Sequence, residues 1–196
     1  MKHLLLVRHG ESEWNQLGRI QGQTDIPLAQ TGILQAQKIG GFLAKKQLSD
    51  KIVMHCSPMQ RAVKTAQIIA RAIEFNENNL QIDERLNDFN LGDIAGTYGW
   101  DQVAIDHPEL ARLRLTDPLN FHPPGGESGT DFRNRLTDFL DQPEDGKIHL
   151  IVGHGVANKF IRSIRLGLPG ADIISLGESQ QSVYELEDNH ETEHAL

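Results

Sequence analysis

Residues 3–11 read HLLLVRHGE and combine an apolar run with charged residues at its end. The near-continuous apolar run at residues 3–7 predicts a β-strand that is buried on both faces, as strands of parallel sheets are. Arg8 and His9 follow this run at once, so charged and titratable groups stand where the predicted strand ends. In open α/β sheets, ligands bind at the carboxyl ends of the strands. We therefore expect Arg8 and His9 to lie at a binding edge.

Strand and helix patterns alternate along the rest of the chain. Apolar runs predict four more strands, at residues 51–56, 80–82, 147–153 and 182–186. Helical patterns begin near Thr31, at Ser57 and at Val156. Ser57 followed by Pro58 has the usual order of an N-cap and a first helical residue. This alternation predicts an α/β protein, a three-layer α/β/α sandwich with a largely parallel central sheet.

Two arginines and two histidines stand at the predicted strand ends. Arg61 falls on the first turn of the helix after the second strand, and His154, between two glycines, follows the strand at 147–153. Together with Arg8 and His9 they form a cluster that suits phosphate, because guanidinium groups pair with its oxygens in a bidentate manner. A histidine beside two permanent cations tends to lose its proton, and a neutral imidazole is a nucleophile.

Length and composition limit the classes of function. The 196 residues suit one domain, which we expect to span residues 1–196. A net charge of −8 argues against nucleic acid and anionic membranes as partners. The single cysteine, Cys56, cannot form an internal disulfide, and the first apolar run is too short for a signal peptide or a membrane span. We therefore expect a cytoplasmic protein.

Five ordered blocks of the sequence resemble the histidine phosphatase (phosphoglycerate mutase-like) superfamily, in its small phosphatase-type branch. The blocks are LVRHGESEWN at 6–15, SPMQRAVKTA at 57–66, RLNDFNLGD at 85–93, PGGES at 124–128 and VGHG at 152–155. The resemblance covers residues from about 4 to 165. It implies a phosphoglycerate mutase-like fold.

The resemblance also implies a role for each site residue, position by position. His9 would attack the phosphorus and become a phosphohistidine, while Arg8, Arg61 and His154 would hold the transferring oxygens. Asp88 stands where the family has its proton-donating glutamate. The pocket for phosphate and substrate would be lined by Asn15, Gln21, Gly22 and the amide of Gly155. No metal and no cofactor are implied, because guanidinium and imidazole groups offset the charge of the phosphate.

Asp88 is the main departure from the family pattern. Its side chain is one methylene shorter than that of glutamate, and a misplacement of about 1 Å can cost roughly 10²-fold in rate. A shift of the backbone would compensate for the shorter side chain. Glu84 or Asp93 would otherwise have to serve in its place.

The resemblance implies a metal-independent phosphatase that hydrolyses small phosphomonoesters, with the substrate and inorganic phosphate as its partners. A phosphoglycerate mutase is the alternative, but a mutase must exclude water while its intermediate reorients. Residues 96–124 are the main candidate for a cap over the site, with Arg112 and Arg114 as candidate substrate contacts. A non-catalytic phosphate-binding module is a third hypothesis. The physiological substrate stays open between broad-specificity and α-ribazole-phosphate types, and a homodimer is neither indicated nor excluded.

Two further motifs carry weaker signals. Four residues separate Cys56 from Arg61, one fewer than in the loop of cysteine phosphatases, so we expect Cys56 to be a buried apolar residue. Residues 190–194 read HETEH and match the zinc-protease motif formally. No apolar stripe supports a helix there, and residues 188–196 are expected to be a solvated acidic tail.

Overall fold

A computed structural model of the protein describes residues 3–48, 51–141 and 146–196. The strands within these ranges are β1 (His3–Arg8), β2 (Ile52–Cys56), β3 (Gln81–Ile82), β4 (Ile148–Gly153), β5 (Ser182–Glu187) and β6 (His190–Ala195). They form one sheet in the order β3-β2-β4-β1-β5-β6. β1 to β4 pair in parallel, whereas β5 and β6 run antiparallel to their neighbours. The predicted largely parallel sheet is confirmed.

Helices cover both faces of this sheet. They are α1 (Glu13–Gln16), α2 (Gln30–Lys45), α3 (Gln60–Ala72), α4 (Gly99–Asp106), α5 (Pro108–Thr116), α6 (Gly129–Leu140) and α7 (Gly155–Leu166). Alternate side chains of β1 point to opposite faces. Leu5 and Val7 enter the core under α2 and α3, while Leu4 and Leu6 enter the core under α6 and α7. The predicted α/β/α sandwich is therefore confirmed. No helix in the described ranges is both long and apolar enough to cross a membrane.

Helix α3 begins later than the sequence predicts. Ser57 is not its N-cap, since the first helical residue is Gln60. The backbone N–H of Ser57 donates to the Val152 carbonyl of β4 (3.1 Å), so strand pairing reaches Ser57, and the N-cap position falls at Met59. Helix α2 begins at Gln30, one residue before the predicted cap Thr31. The shift of α3 leaves the Ser57 side chain at the carboxyl edge of the sheet.

Most of residues 188–196 are exposed, as expected, but they form a strand and not a tail, so that part of the expectation is wrong. Strand β6 pairs with β5 over its whole length and forms one edge of the sheet. Asp188 and Asn189 make the turn with φ values of 46° and 67°, the left-handed conformation that two-residue hairpin turns require. Glu191 on β6 pairs with Arg162 on α7 (2.6 Å), which ties the edge strand to the helix layer.

Residues 96–124 carry α4 and α5 and are attached to the loop after α1. Gly96 donates to the Ile20 carbonyl (2.8 Å), and Ile20 donates to the Thr97 carbonyl (2.9 Å). The Arg19 guanidinium lies over two aromatic rings, 4.4 Å from the centroid of Trp14 and 4.9 Å from that of Tyr98. These contacts fix α4 and α5 beside the carboxyl ends of the strands.

Candidate active site

His9 stands at the carboxyl end of β1, where backbone pairing fixes it. Its N–H donates to the Gly153 carbonyl at the end of β4 (2.9 Å). The ring is buried, and its Nδ1 lies 2.7 Å from the Gly10 carbonyl oxygen. Because a carbonyl only accepts hydrogen bonds, Nδ1 carries the proton, and the lone pair of the neutral ring lies on Nε2. Nε2 is therefore the nitrogen that can act as a nucleophile.

His154 follows β4 and lies edge-on to His9, with 5.2 Å between the ring centroids. Its Nε2 is 2.8 Å from the Ser57 hydroxyl oxygen. Its Nδ1 is buried and has no hydrogen-bond partner among the described residues. Two imidazoles at this separation can contact one tetrahedral oxyanion, as the sequence-based hypothesis requires.

Arg61 is fully buried in the first turn of α3 and is held in a fixed orientation. Its Nη groups donate to the carbonyls of Gly22 (2.7 Å) and Thr24 (2.8 Å). Its Nε, like the buried Nε of Arg8, has no hydrogen-bond partner in the parts of the chain that the structure describes. With Nδ1 of His154, three buried nitrogens at this edge are unsatisfied. Each such group costs about 1–3 kcal/mol, so the cluster suits an anion whose oxygens accept from all three.

Two glycines let the backbone approach this cluster closely. A Cβ at Gly155 would lie 3.3 Å from the Nε of Arg8, so a side chain there would crowd the guanidinium. Gly155 is also the first residue of α7, a 12-residue helix whose N-terminal amides favour an anion. Gly22 has a φ of 52°, and a Cβ there would lie 3.0 Å from the Phe89 carbonyl oxygen. The positive φ and the backbone contact require glycine at position 22, whereas a side chain at position 155 would displace Arg8.

Burial and positive neighbours keep both imidazoles neutral. The pKa of His9 is lowered well below 6.5, first by burial and then by the nearby His154, Arg61 and Arg8. The pKa of His154 is also lowered well below 6.5, again first by burial and then by Arg61, Arg8 and Arg135. At neutral pH the cluster therefore combines permanent guanidinium charge with uncharged imidazole rings.

Asp88 is the carboxylate that reaches the cluster. Its Oδ2 lies 3.3 Å from Nη2 of Arg61 and 3.5 Å from Nδ1 of His154. Asp88 lines the cavity described next, whereas Glu84 and Asp93 do not. Of the three carboxylates that the sequence offered for proton transfer, Asp88 alone has this placement.

A cavity of about 420 Å³ opens at this edge of the sheet. Seven of the nine predicted site residues line it, namely Arg8, His9, Asn15, Gln21, Gly22, Asp88 and Gly155. The other two, Arg61 and His154, are fully buried and contact the lining residue Asp88. Ser12 joins two of the lining residues, since its hydroxyl donates to Gln21 Oε1 (2.8 Å) and accepts from the Asn15 N–H (3.2 Å).

Part of the cavity wall consists of residues that the sequence analysis does not predict. Lys159 lies four residues after Gly155 on α7, and this spacing places both on one helix face, so the pattern could have revealed it. Glu178 enters the wall from the loop before β5 and accepts from Asn158 Nδ2 (2.9 Å). Burial raises the pKa of Glu178 to about 7. No local pattern in the sequence indicates that Glu178 is buried beside the cavity.

Residues 96–124 supply another part of the wall, through Gly99, Trp100, Arg114, Pro118 and Phe121. The Arg114 guanidinium lies 3.9 Å from the ring centroid of Trp100, and burial lowers its pKa. The expectation for Arg112 is wrong, because that side chain is exposed and pairs with Glu109 (2.9 Å) outside the cavity.

The weaker motifs do not contribute to the site. Cys56 is buried, and burial raises the pKa of its thiol to about 12, which disfavours a thiolate nucleophile. The HETEH segment lies on β6, not on a helix. Across the described ranges, no three His, Cys, Asp or Glu side chains are grouped so that they could hold a metal ion.

Curated proteins with similar sequences carry phosphatase and mutase names. A Hydrogenobacter thermophilus protein provisionally named phosphoserine phosphatase 2 is 32% identical over 157 residues, which are 79% of this chain and 74% of the relative. A Serratia proteamaculans protein provisionally named phosphoglycerate mutase is 34% identical over 173 residues, which are 86% of this chain and 77% of the relative.

Solved structures share the whole fold. Bacillus stearothermophilus YhfR has a TM-score of 0.83 at 28% identity, covering 100% of this chain and 95% of its own. A mycobacterial glucosyl-3-phosphoglycerate phosphatase in complex with VO3 has a TM-score of 0.78 at 26% identity, covering 100% and 97%. The family profile described as histidine phosphatase superfamily, branch 1, matches residues 4–196. The chain therefore belongs to the histidine phosphatase superfamily.

Proposed function

We propose that the protein is a metal-independent phosphatase that hydrolyses small phosphomonoesters through a phosphohistidine on His9. The observation that carries this proposal is the set of buried, unsatisfied nitrogens on Arg8, Arg61 and His154. A phosphoryl group offers oxygens to all three, and its charge matches the two guanidinium groups. The mycobacterial phosphatase of similar structure adds support, because its complex contains VO3, which has three oxygens on one central atom as a transferring phosphoryl group does.

In the first step, Nε2 of His9 forms a bond to phosphorus while the bond from phosphorus to the leaving oxygen breaks. The lowered pKa of His9 keeps the Nε2 lone pair free at neutral pH. The Gly10 carbonyl holds the Nδ1 proton, which fixes the ring and stabilises the charge that develops on it. Arg8 and Arg61 stabilise the negative charge on the transferring oxygens.

His154 donates to the same phosphoryl group in this proposal, which requires its proton on Nδ1. The Ser57 hydroxyl, 2.8 Å from Nε2, permits that tautomer because it can donate to Nε2. The lowered pKa of His154 is consistent with a neutral ring in this role. Ser57 thereby becomes a positioning residue for His154.

Asp88 acts first as an acid and then as a base. In the first step its carboxyl group gives a proton to the leaving oxygen and becomes a carboxylate. In the second step a water oxygen bonds to phosphorus, and the bond from phosphorus to Nε2 breaks with its electron pair returning to His9. The water proton passes to the Asp88 carboxylate. The products are the alcohol and inorganic phosphate. The wall of the cavity that holds the substrate and these products includes Asn15, Gln21, Gly22 and Gly155.

A phosphoglycerate mutase is the second candidate, because the Serratia relative carries that name. A mutase returns the phosphoryl group from His9 to a different hydroxyl of the substrate and must keep water away meanwhile. The covering segment here, residues 96–124, amounts to the two short helices α4 and α5. We favour the phosphatase because so small a cover suits access of water to the phosphohistidine.

The test is hydrolysis of 4-nitrophenyl phosphate by the wild type and by His9→Asn, each with and without EDTA. The proposal expects turnover that survives EDTA and falls by at least about 10³-fold in the variant. Interconversion of phosphoglycerates with negligible hydrolysis would instead assign a mutase. Phosphate binding without either activity would overturn both and leave a non-catalytic module.

A further inference from the structure

Asp88 lies on a segment that has no strand or helix of its own to fix it. The short 3-10 turn Glu84–Leu86 precedes it, and the next turn, Gly92–Ile94, begins only four residues later. Aspartate has one methylene between backbone and carboxyl group, so the position of this loop decides how far the carboxyl reaches. Contacts that hold the loop therefore bear directly on the proposed proton transfer.

Arg135, on α6, holds three carbonyl groups of this loop with one guanidinium. Its Nη1 donates to the carbonyls of Arg85 (2.6 Å) and Asn87 (2.9 Å), and its Nη2 donates to the carbonyl of Asp88 itself (2.9 Å). The guanidinium is planar and rigid, so it fixes the three carbonyls relative to one another. Gln23 adds a fourth bond, from Nε2 to the Asp88 carbonyl (3.0 Å).

Glu127 holds Arg135 and the far side of the same loop. Its two carboxylate oxygens accept from Nε (3.0 Å) and Nη2 (2.8 Å) of Arg135 in a bidentate pair. Oε1 also accepts from the backbone N–H of Asn90 (2.7 Å), and the N–H of Glu127 donates to the Asn90 carbonyl (3.0 Å). The ion pair therefore makes hydrogen bonds to the backbone on both sides of Asp88.

We propose that Arg135 and Glu127 are positioning residues that place Asp88 for proton transfer. Neither lines the cavity, so both act through the loop rather than on the substrate. The inference rests on the proposed function and deepens it, because it says how a side chain shorter than glutamate still serves as the acid. Since a misplacement of about 1 Å can cost roughly 10²-fold in rate, loosening the loop has a measurable effect on this step.

The experiment compares kcat/KM for 4-nitrophenyl phosphate and phenyl phosphate, which reports the steps up to formation of the phosphohistidine. Phenolate is the more basic leaving group and depends more on an acid. Asp88→Asn sets the scale, since it removes the acid outright. Arg135→Met and Glu127→Gln should lower kcat/KM for phenyl phosphate about 10- to 100-fold and that for 4-nitrophenyl phosphate less than about threefold.

Two further variants separate positioning from other roles. Arg133→Met, on the same helix, is the matched control, because its side chain makes none of the contacts that hold the loop. Arg135→Lys keeps the positive charge that lowers the pKa of His154 but cannot span three carbonyls. It should therefore lose most of the phenyl phosphate activity that Arg135→Met loses. If Arg135→Met does not fold, Arg135→Lys and Glu127→Gln carry the comparison.

Three results would overturn the inference. Equal losses on both substrates would mean that the ion pair stabilises the fold without placing the acid. Full activity of Arg135→Lys beside a defective Arg135→Met would assign the effect to charge. An unchanged substrate ratio in Asp88→Asn would show that Asp88 is not the acid. Each of these results is a ratio of kcat/KM values for the two esters, so it requires an active wild-type protein. Failure of the proposed function would give a different result, a wild-type protein that hydrolyses neither ester.

Discussion

Replacing the two buried imidazoles should remove a specific pH dependence from the stability of the fold. Both His9 and His154 have pKa values well below 6.5 in the folded protein, because they are buried beside arginines. In the unfolded chain they titrate near 6.5. Below that pH the unfolded chain binds protons that the folded protein does not, so stability falls as pH falls. Above about pH 7.5 neither state binds these protons and the effect vanishes.

The size of the effect follows from this linkage. Each histidine lowers the free energy of unfolding by up to about 1.4 kcal/mol per pH unit below 6.5, as long as its folded form stays neutral. The pair together gives a slope of up to about 2.7 kcal/mol per unit. The double variant His9→Asn/His154→Asn should lose this slope. Replacement of the exposed His190 by asparagine is the control and should retain it.

The assay is urea denaturation at a series of pH values from 5.5 to 7.5 in buffer without phosphate, since a bound anion would stabilise the folded state. We expect the curves of stability against pH to converge below pH 6.5, with the wild type losing stability more steeply than the double variant. Parallel curves for the two proteins would show that the two buried histidines are not the source of this pH dependence. They would mean that the cluster tolerates two imidazolium ions beside its guanidinium groups.

Three other predictions concern the walls and supports of the site. Ser57→Ala removes the partner of His154 Nε2 and should lower kcat/KM for 4-nitrophenyl phosphate about 10-fold with little change in KM, as steady-state kinetics would show; unchanged kinetics would remove Ser57 from the site. Arg114→Met should lower kcat/KM for phosphoserine, which carries a carboxylate, about 10-fold and leave kcat/KM for phenyl phosphate unchanged. The reason is that no described carboxylate pairs with the Arg114 guanidinium. Equal effects on both esters would contradict this. Gly32→Ala should cost about 1–3 kcal/mol in urea denaturation, because a Cβ there would collide with the Glu11 backbone. Gly41→Ala on the same helix, with open space around it, should be neutral or stabilising.

The sequence predicts the sheet and the core of the site because both depend on local patterns. Buried parallel strands appear in the sequence as apolar runs. Because the carboxyl ends of parallel strands lie along one edge of the sheet, the residues that follow these runs, Arg8, His9 and His154, are predicted to lie together. Arg61 followed from its place on the first turn of the next helix. The resemblance to a known family then extended the set to the residues around them.

The features that the sequence does not predict depend on contacts between distant residues. Ser57 continues the pairing with β4 instead of capping α3, and its hydroxyl contacts His154, which is 97 positions further along the chain. Residues 190–195 lack an apolar stripe, but the turn at Asp188 and Asn189 pairs them with β5. The hydrogen bond from Arg135 to the Asp88 carbonyl joins residues 47 positions apart, and no helix or strand periodicity in the sequence predicts it.

If His9 carries the phosphoryl group, the phosphorylated protein can be trapped during turnover. The protein is mixed with a ³²P-labelled phosphomonoester, quenched within milliseconds in alkali, digested and mapped by mass spectrometry. We expect a label that is stable in base, labile in acid and located on the peptide containing His9, with no label in His9→Asn. Turnover without any such label, or a label on another residue such as Cys56, would contradict it.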